Sequence, residues 1–355
     1  MSCFLNPRYE TLEAYTPGEQ PRDRSYIKLN TNESPYPPSP EVLSTVTQQE
    51  VENLRLYSDP EGKILCEKLA GLYGLSPENI FLSNGSDDIL NFAFMAFGQH
   101  GAAFPTITYS FYPVFGELHS VPCERIPLRE DFSIEPSDYF GKNKLLLITN
   151  PNAPTGMALS LAQIRSILEN NPHSVVLVDE AYVDFGAESS VSLLAEFSNL
   201  LVVMTYSKSR SLAGARLGFA LGDAALIADL NKLKYSTNPY NVNRLTLAIG
   251  AAAVDSDAYF RANCARIMNT RKETTKALEA LGFLVLPSKA NFVFTKRDGI
   301  SGAKLYEALK ARGVLIRHFN KAPIADFIRV TIGTDEEMAA FLSAIQEIMR
   351  EEGLS

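Results

Sequence analysis

The sequence predicts an α/β protein in which a mostly parallel mixed sheet is sandwiched by helices. Three short, continuous apolar runs indicate strands that are buried on both faces: residues 145–149 (LLLIT), 175–178 (VVLV) and 200–206 (LLVVMTY). Between the first two runs, Ser160 and Gln163 form a capping box that predicts the start of a helix. Strands that alternate with helices in this way are typical of a parallel sheet.

Helical patterns account for much of the remaining chain. One helix is predicted over residues 61–73, and another follows the turn Gly85-Ser86-Asp87. The region 223–281 is mostly helical, and Gly282 is a typical end signal for its last helix.

The C-terminal part has a different pattern, with the strand-like runs ANFVFTK, GVLIR and FIRVTIG around a predicted helix over residues 301–312. A second capping box, Thr334 with Glu337, predicts the last helix. A chain of 355 residues commonly forms more than one domain. We predict a large domain over residues 46–255 and a small α+β domain over 256–355. An irregular, proline-rich segment over residues 1–45 is expected to pack on the small domain and the substrate site.

The composition excludes several classes of protein. A net charge of −8, with both signs spread along the chain, argues against a nucleic-acid partner. Cys3, Cys66, Cys123 and Cys264 lie far apart, and no histidine pair has a metal-ligand spacing, so we expect neither disulfides nor a metal site. No apolar run approaches about 20 residues, and no signal peptide is apparent, so we expect no membrane span and a cytoplasmic location.

Several polar residues follow the predicted strands directly. Asp179 and Tyr182 come after the second buried run, and Lys208 and Arg216 come after the third. Ligands of open α/β sheets bind beyond the carboxyl ends of the strands, so we expect these side chains to converge. The turn before the helix at Ser86 adds a helix N-terminus, whose free N–H groups suit a phosphate.

This set of residues fits pyridoxal phosphate. That cofactor needs a lysine for a Schiff base and a carboxylate opposite its ring nitrogen, so that the ring can accept electrons from a substrate carbanion. It also needs a donor near its phenolic oxygen and a cationic cup lined with N–H groups for its phosphate.

Eleven motifs in order along residues 10–345 resemble those of the histidinol-phosphate aminotransferase family, which belongs to the fold-type-I pyridoxal-phosphate superfamily. The motifs are YTPGEQ, KLNTNESPYPPSP, GSDDIL, PTITYSFY, NPNAPTG, DEAYVDF, YSKSRSLAGARLGF, NPYNVN, ANFVF, GVLIR and IRVTIGT. The resemblance implies a large domain that binds pyridoxal 5'-phosphate and a smaller C-terminal domain.

The resemblance also implies a role for each matching residue around the cofactor. Lys208 is the Schiff-base lysine and later the proton shuttle, Asp179 pairs with the ring nitrogen, and Tyr182 hydrogen-bonds the phenolic oxygen. The remaining implied cofactor contacts are ring stacking by Tyr109 and phosphate binding by Ser207, Arg216 and the backbone near Ser86 and Asp87.

Further implied roles concern the substrate and a second subunit. Tyr57 matches a tyrosine that reaches the phosphate in the partner subunit, which implies a homodimer. Arg329 matches the arginine that binds the carboxylate of glutamate. Arg317, Tyr15 and Asn32 lie where the phosphate and imidazole end of the substrate is expected.

One position departs from the superfamily pattern. Most members have Asn immediately before Pro-Thr-Gly, where it donates to the phenolic oxygen, and this chain has Ala153. We expect Asn152 or Tyr182 to compensate, and Asn152 is therefore included among the predicted cofactor contacts.

The resemblance implies amino transfer between L-histidinol phosphate and 2-oxoglutarate in histidine biosynthesis by a ping-pong mechanism. Two alternatives stay open within the fold: an aminotransferase for aromatic amino acids and a threonine-phosphate decarboxylase. The decarboxylase usually has a His-Gly-Gly stretch near its N-terminus, where this chain has YTPGEQ. A non-catalytic relative would have lost the lysine or gained a basic DNA-binding domain, and neither feature is present in the sequence.

Overall fold

The computed structural model describes residue 2 and residues 4–354, so Cys3 lies outside the described residues. Within them there are eleven α-helices. They are α1 (Pro40–Thr45), α2 (Gln48–Glu52), α3 (Lys63–Tyr73), α4 (Ser86–Phe97), α5 (Tyr112–His119), α6 (Leu161–Glu169), α7 (Ala224–Thr237), α8 (Arg244–Asp255), α9 (Asp257–Ala280), α10 (Gly302–Ala311) and α11 (Asp335–Glu351). No helix in this part of the chain combines the length and apolar character needed to cross a bilayer.

The same residues contain thirteen β-strands. They are β1 (Ile27–Lys28), β2 (Ile80–Ser83), β3 (Ala102–Pro105), β4 (Cys123–Ile126), β5 (Leu145–Thr149), β6 (Val176–Asp179), β7 (Leu200–Thr205), β8 (Gly218–Gly222), β9 (Leu284–Val285), β10 (Phe292–Lys296), β11 (Val314–Leu315), β12 (Arg317–His318) and β13 (Ile328–Thr331).

A seven-stranded sheet forms the centre of the larger part, with the order β2-β8-β7-β6-β5-β3-β4. All neighbouring strands are parallel except β8, which is antiparallel to both β2 and β7. Alternate residues of each strand enter different cores: Leu146 and Ile148 pack on one face, and Leu145 and Leu147 pack on the other. The continuous apolar runs are explained by this coverage on both faces.

The C-terminal residues form a second, antiparallel sheet with the order β12-β13-β10-β9. Apolar side chains from α9, α10 and α11 share a core with β10 and β13. The N-terminal segment joins this part of the chain, because β1 pairs in parallel with β11 through Ile27 and Val314.

Both predicted capping boxes are confirmed, at the starts of α6 and α11. The predicted helix over residues 61–73 begins two residues later, because Gly62 has a left-handed backbone (φ 58°) and Asp59 accepts the N–H groups of Glu61 and Lys63. The strand predicted over residues 175–178 is shifted by one residue, since it begins at Val176 and ends at Asp179. β8 was not predicted, since its sequence GFALG is short and has glycine at both ends.

Candidate active site

The carboxyl ends of β5, β6 and β7 and the first turn of α4 meet at one cavity of about 370 Å³, which we call the inner cavity. A second cavity of about 140 Å³, the outer cavity, lies beside it and extends towards β12 and β13. The two cavities share five lining residues: Thr31, Tyr109, Ala153, Tyr182 and Lys208. The predicted convergence of lysine, acid, tyrosine and arginine is therefore present at the expected edge of the sheet.

Lys208 lies between the two cavities, three residues beyond the end of β7. Its Nζ donates to the carbonyl oxygen of Thr31 at 3.0 Å. Burial, and next the positive charge of Arg329, lower the pKa of Lys208 to about 8. Near neutral pH an appreciable fraction of this amine is unprotonated, as a nucleophile or proton acceptor requires.

Asp179 faces the inner cavity from the end of β6. Its carboxylate accepts hydrogen bonds from the Tyr112 hydroxyl at 3.1 Å and from the backbone N–H of Ala181 at 3.2 Å. Burial raises its pKa to about 6, although both hydrogen bonds oppose that change. The group is still mostly ionised at pH 7, and a cation in the cavity would stabilise it further.

Two tyrosines form the walls that the cavities share. The Tyr109 hydroxyl donates to Asp87 Oδ1 at 2.7 Å. The Tyr182 hydroxyl accepts from Asn32 Nδ2 at 3.1 Å, and its ring packs edge-on against Phe292. Burial raises the pKa of both phenols, so they are neutral donors at physiological pH.

A cup for an anion lies at the start of α4. Gly85 is the N-cap residue of this helix and has φ 83°. Because glycine has no side chain, it forms no capping hydrogen bond to the N–H groups of the first turn. Arg216 approaches the cup so closely that a Cβ on Gly85 would lie 2.5 Å from its Nη2. Arg216 Nη1 also donates to Ser207 Oγ at 3.4 Å, and its Nη2 lies 3.3 Å from Asp87 Oδ2. Helix N–H groups, a hydroxyl and a guanidinium together suit a phosphate.

The inner cavity thus provides each group that pyridoxal phosphate requires: an amine, a buried carboxylate, a phenolic donor and a phosphate cup. The fit depends on the donor set and on the space around it. A Cβ on Gly218 would lie 2.5 Å from the backbone nitrogen of Ser86, so glycine is needed there for α4 to approach the sheet.

The outer cavity is lined by two arginines, Arg317 and Arg329, which occupy paired positions of β12 and β13. Arg329 Nη2 donates to the carbonyl oxygen of Asn30 at 2.9 Å, whereas its buried Nε has no hydrogen-bond partner within residues 4–354. Neither Arg329 nor Arg317 forms an ion pair in the described part of the chain. Burial lowers the pKa of Arg329; Tyr182 opposes this change, and the charge of Arg317 adds to it. Cationic side chains that line a cavity without a counter-ion, one of them with a buried nitrogen that has no partner, indicate a site for an anion.

The N-terminal segment closes the outer cavity on one side. Tyr15 lines this cavity and stacks on Phe111, with ring centroids 4.6 Å apart. Glu19 fastens the segment to α10, because its carboxylate pairs with Lys310 at 2.6 Å and accepts from the Tyr306 hydroxyl at 2.5 Å.

Two predicted site residues lie elsewhere. Asn152 lines neither cavity, since its amide nitrogen donates to the carbonyl oxygen of Ile107 at 3.0 Å and to Thr155 Oγ1 at 3.2 Å. It is therefore not the residue that compensates for Ala153 in this structure. Tyr57 is 80% exposed and stacks on Tyr240, away from the cavities of its own chain.

Two contributors were absent from the predicted set. Thr31 provides the carbonyl oxygen that holds Lys208, and Tyr112 provides the hydroxyl that holds Asp179. The sequence carries no signal for a backbone carbonyl contact. Tyr112 lies in the motif PTITYSFY, but a fully buried tyrosine is equally expected in a core.

Comparison with known proteins gives a consistent result. The family model "Aminotransferase class I and II" matches residues 24–345. The chain is 50% identical over 353 residues to a histidinol-phosphate aminotransferase of Marinomonas sp. (strain MWYL1), covering 98% of this chain and 100% of that protein. It is 48% identical over 353 residues to the protein of the same name from Brachyspira hyodysenteriae, covering 99% and 100%.

Solved structures show the same fold. The crystal structure of histidinol-phosphate aminotransferase from Sinorhizobium meliloti, in complex with pyridoxal-5'-phosphate, superposes with a TM-score of 0.82 at 24% identity and covers 92% of each chain. The prediction of a fold-type-I α/β architecture with a mostly parallel mixed sheet is confirmed.

Proposed function

The chain belongs to the class I and II aminotransferases, and on that premise we propose that it transfers an amino group between L-histidinol phosphate and 2-oxoglutarate. It is a transaminase that uses pyridoxal 5'-phosphate, like the other members of the family. The substrate assignment is supported by relatives named histidinol-phosphate aminotransferase, which are 44–50% identical to this chain over nearly the full length. The products are imidazole acetol phosphate and L-glutamate, as in histidine biosynthesis.

The observation that carries this proposal is the pair of arginines without counter-ions in the outer cavity. L-Histidinol phosphate carries a phosphate, and glutamate carries a side-chain carboxylate at the far end from its amine. Arg317 and Arg329 lie on the side of Lys208 away from the phosphate cup of the inner cavity. The planar guanidinium group can form two parallel hydrogen bonds to a phosphate or to a carboxylate. Both substrates can therefore use the outer cavity in turn.

Each residue of the inner cavity has a task that follows from its contacts. When bound, pyridoxal phosphate supplies an electrophilic carbon for amine exchange and a ring that withdraws electrons from the substrate Cα. Asp179 holds a proton at the ring nitrogen, because a buried carboxylate is stabilised by a cation opposite it. Ser207, Arg216 and the N–H groups of α4 orient the cofactor through its phosphate.

Lys208 would have two tasks: its amine would hold the cofactor covalently and, when free, would accept and return the proton of the substrate Cα. Both tasks require the neutral amine, which burial and Arg329 favour. The contact of Lys208 with Thr31 provides a resting position at 3.0 Å when the amine is free.

We also propose that the protein is a cytoplasmic homodimer. Several apolar side chains between residues 43 and 64 are strongly exposed in the single chain, among them Leu43, Val51, Tyr57 and Ile64. Large apolar side chains exposed in such number within one segment are typical of a subunit interface. A second copy that covers this surface would bring Tyr57 to the phosphate cup of its neighbour. The division into residues 1–45, 46–255 and 256–355 is retained as part of this proposal.

The test is a single-turnover substrate screen monitored through the cofactor spectrum. The holoenzyme is mixed separately with histidinol phosphate, unphosphorylated histidinol, phenylalanine and threonine phosphate. We expect histidinol phosphate to react with the largest kcat/KM. If phenylalanine or histidinol reacts equally fast, the protein is an aromatic or broad-range aminotransferase. Release of CO2 from threonine phosphate would identify a decarboxylase.

A further inference from the structure

A chain of hydrogen bonds links Thr331, at the end of β13, to the Tyr182 hydroxyl. Thr331 Oγ1 accepts from the backbone N–H of Asn32 at 3.0 Å and donates to Asn32 Oδ1 at 2.9 Å. The other end of the Asn32 amide, Nδ2, donates to the Tyr182 hydroxyl at 3.1 Å. All three residues are buried, with 3%, 1% and 8% exposure for Thr331, Asn32 and Tyr182.

The orientation of the Asn32 amide follows from Thr331. A threonine hydroxyl has one hydrogen to donate, and its Oγ1 already accepts from the Asn32 backbone. With Oδ1 towards Thr331, that hydrogen finds an acceptor. With the amide reversed, the hydroxyl would face two N–H donors, and its own hydrogen would lose that acceptor. Thr331 therefore keeps the NH2 end of Asn32 directed at Tyr182.

The backbone around Asn32 is held in place as well. Asn32 has a left-handed conformation (φ 57°), which asparagine tolerates better than most residues. Its carbonyl oxygen accepts from Asn291 Nδ2 at 3.0 Å. Both ends of the amide are thus bonded, to Thr331 and to Tyr182. Asn32 also lines the outer cavity, so the substrate contact that the sequence predicted for it stays a prediction.

The direction of the Tyr182 proton follows from the Asn32 amide. Because the phenolic oxygen accepts from Asn32, its own hydrogen must point elsewhere, and within residues 4–354 it has no protein acceptor. Tyr182 lines both cavities, so the free direction is the cavity itself. Ala153, which packs beside Tyr182, offers only a methyl group there.

We propose that Thr331 is a positioning residue which, through Asn32, directs the Tyr182 proton into the inner cavity and so compensates for the donor that Ala153 lacks. The inference rests on the proposed function, because the acceptor in the cavity is the phenolic oxygen of pyridoxal phosphate. Without the Thr331 hydroxyl, the Asn32 amide is free to reverse. Its oxygen then accepts the Tyr182 proton, and the donation into the cavity is lost.

The test compares Thr331→Val, which keeps the shape but removes the hydroxyl, with Thr331→Ser, which keeps the hydroxyl. The readouts are the dissociation constant for pyridoxal 5'-phosphate and the pH midpoint of the visible absorption band of the bound cofactor. A donor to the phenolic oxygen stabilises the deprotonated chromophore, so its loss raises the midpoint. We expect Thr331→Val to raise the midpoint by about half to one pH unit and to weaken binding about two- to tenfold. Thr331→Ser should stay close to the wild type.

A purely structural role for Thr331 can be distinguished from the proposed positioning role by repeating the comparison in two variant proteins. In Tyr182→Phe, the valine substitution should no longer move the midpoint, because the group through which it acts is absent. In Ala153→Asn, which restores a donor at the superfamily position, the shift caused by valine should shrink. If Thr331→Val and Thr331→Ser have the same midpoint, or if valine causes the same shift in Tyr182→Phe, the inference is wrong. Failure of the wild-type protein to bind the cofactor would instead overturn the proposed function.

Discussion

The inner and outer cavities lie side by side and share Lys208, but they differ in whether their charged side chains have partners within the protein. In the inner cavity, Asp179 is held by Tyr112 and Ala181, and Arg216 lies against Asp87. In the outer cavity, Arg317 and Arg329 have no acidic partner within the described residues, and a buried nitrogen of Arg329 is without a hydrogen bond. The inner cavity is built for a group that stays bound, whereas the outer cavity depends on substrates that bring their own negative charge and leave again.

The largest expected effect comes from Lys208, which belongs to both cavities. Lys208→Ala should lower kcat by at least about 10⁴-fold, because covalent attachment and proton transfer both need the amine. Non-covalent binding of pyridoxal phosphate should persist through the phosphate cup. Reduction with borohydride, followed by peptide mapping, should locate the cofactor on Lys208 in the wild type and leave the variant unlabelled. An adduct on another lysine would contradict the assignment.

A smaller effect, confined to the inner cavity, is expected from Asp179. Asp179→Asn should lower kcat by about 10²–10³-fold, since an amide cannot hold the ring nitrogen protonated. The apoprotein should be no less stable than the wild type. The reason is the sign of the pKa change: the folded-state pKa of about 6 lies above the unfolded value, so this carboxyl destabilises the fold as pH rises towards 6. Steady-state kinetics and thermal unfolding measure the two outcomes, and near-normal turnover would refute the role.

The smallest effect links the two cavities through charge. In the apoprotein, the rate of covalent capture of pyridoxal phosphate should rise with pH and level off above about 8, the pKa of Lys208. Arg329→Met should move this inflection to higher pH, because removing a nearby cation favours the protonated amine. Arg317→Met is the matched control and should move it less, since Arg317 is not among the main influences on Lys208. Equal shifts in both variants would argue against a specific link.

The inner cavity was predictable from the sequence because its groups follow the ends of β6 and β7. Once the apolar runs were recognised as buried strands, Asp179 and Lys208 had to lie at one edge of the sheet. Side-chain orientation was beyond such reasoning. Asn152 is directed to Ile107, and Asn32 is directed to Tyr182, because their partners come from distant parts of the chain. β8 could not be predicted for a similar reason: the sequence GFALG has no strand signal of its own, and the strand is formed through pairing with β2 and β7.

The most direct test of the central claim is whether the outer cavity recognises an anion through Arg317 and Arg329. The measurement is kcat/KM in single turnover for histidinol phosphate and for histidinol, in the wild type and in Arg317→Ala and Arg329→Ala. In the wild type the phosphate should raise kcat/KM by about one to two orders of magnitude, and in at least one variant most of that advantage should disappear. Arg329→Ala should also weaken the glutamate half-reaction. If the advantage of the phosphate is the same in all three proteins, the arginines do not bind it, and the account of the outer cavity is contradicted.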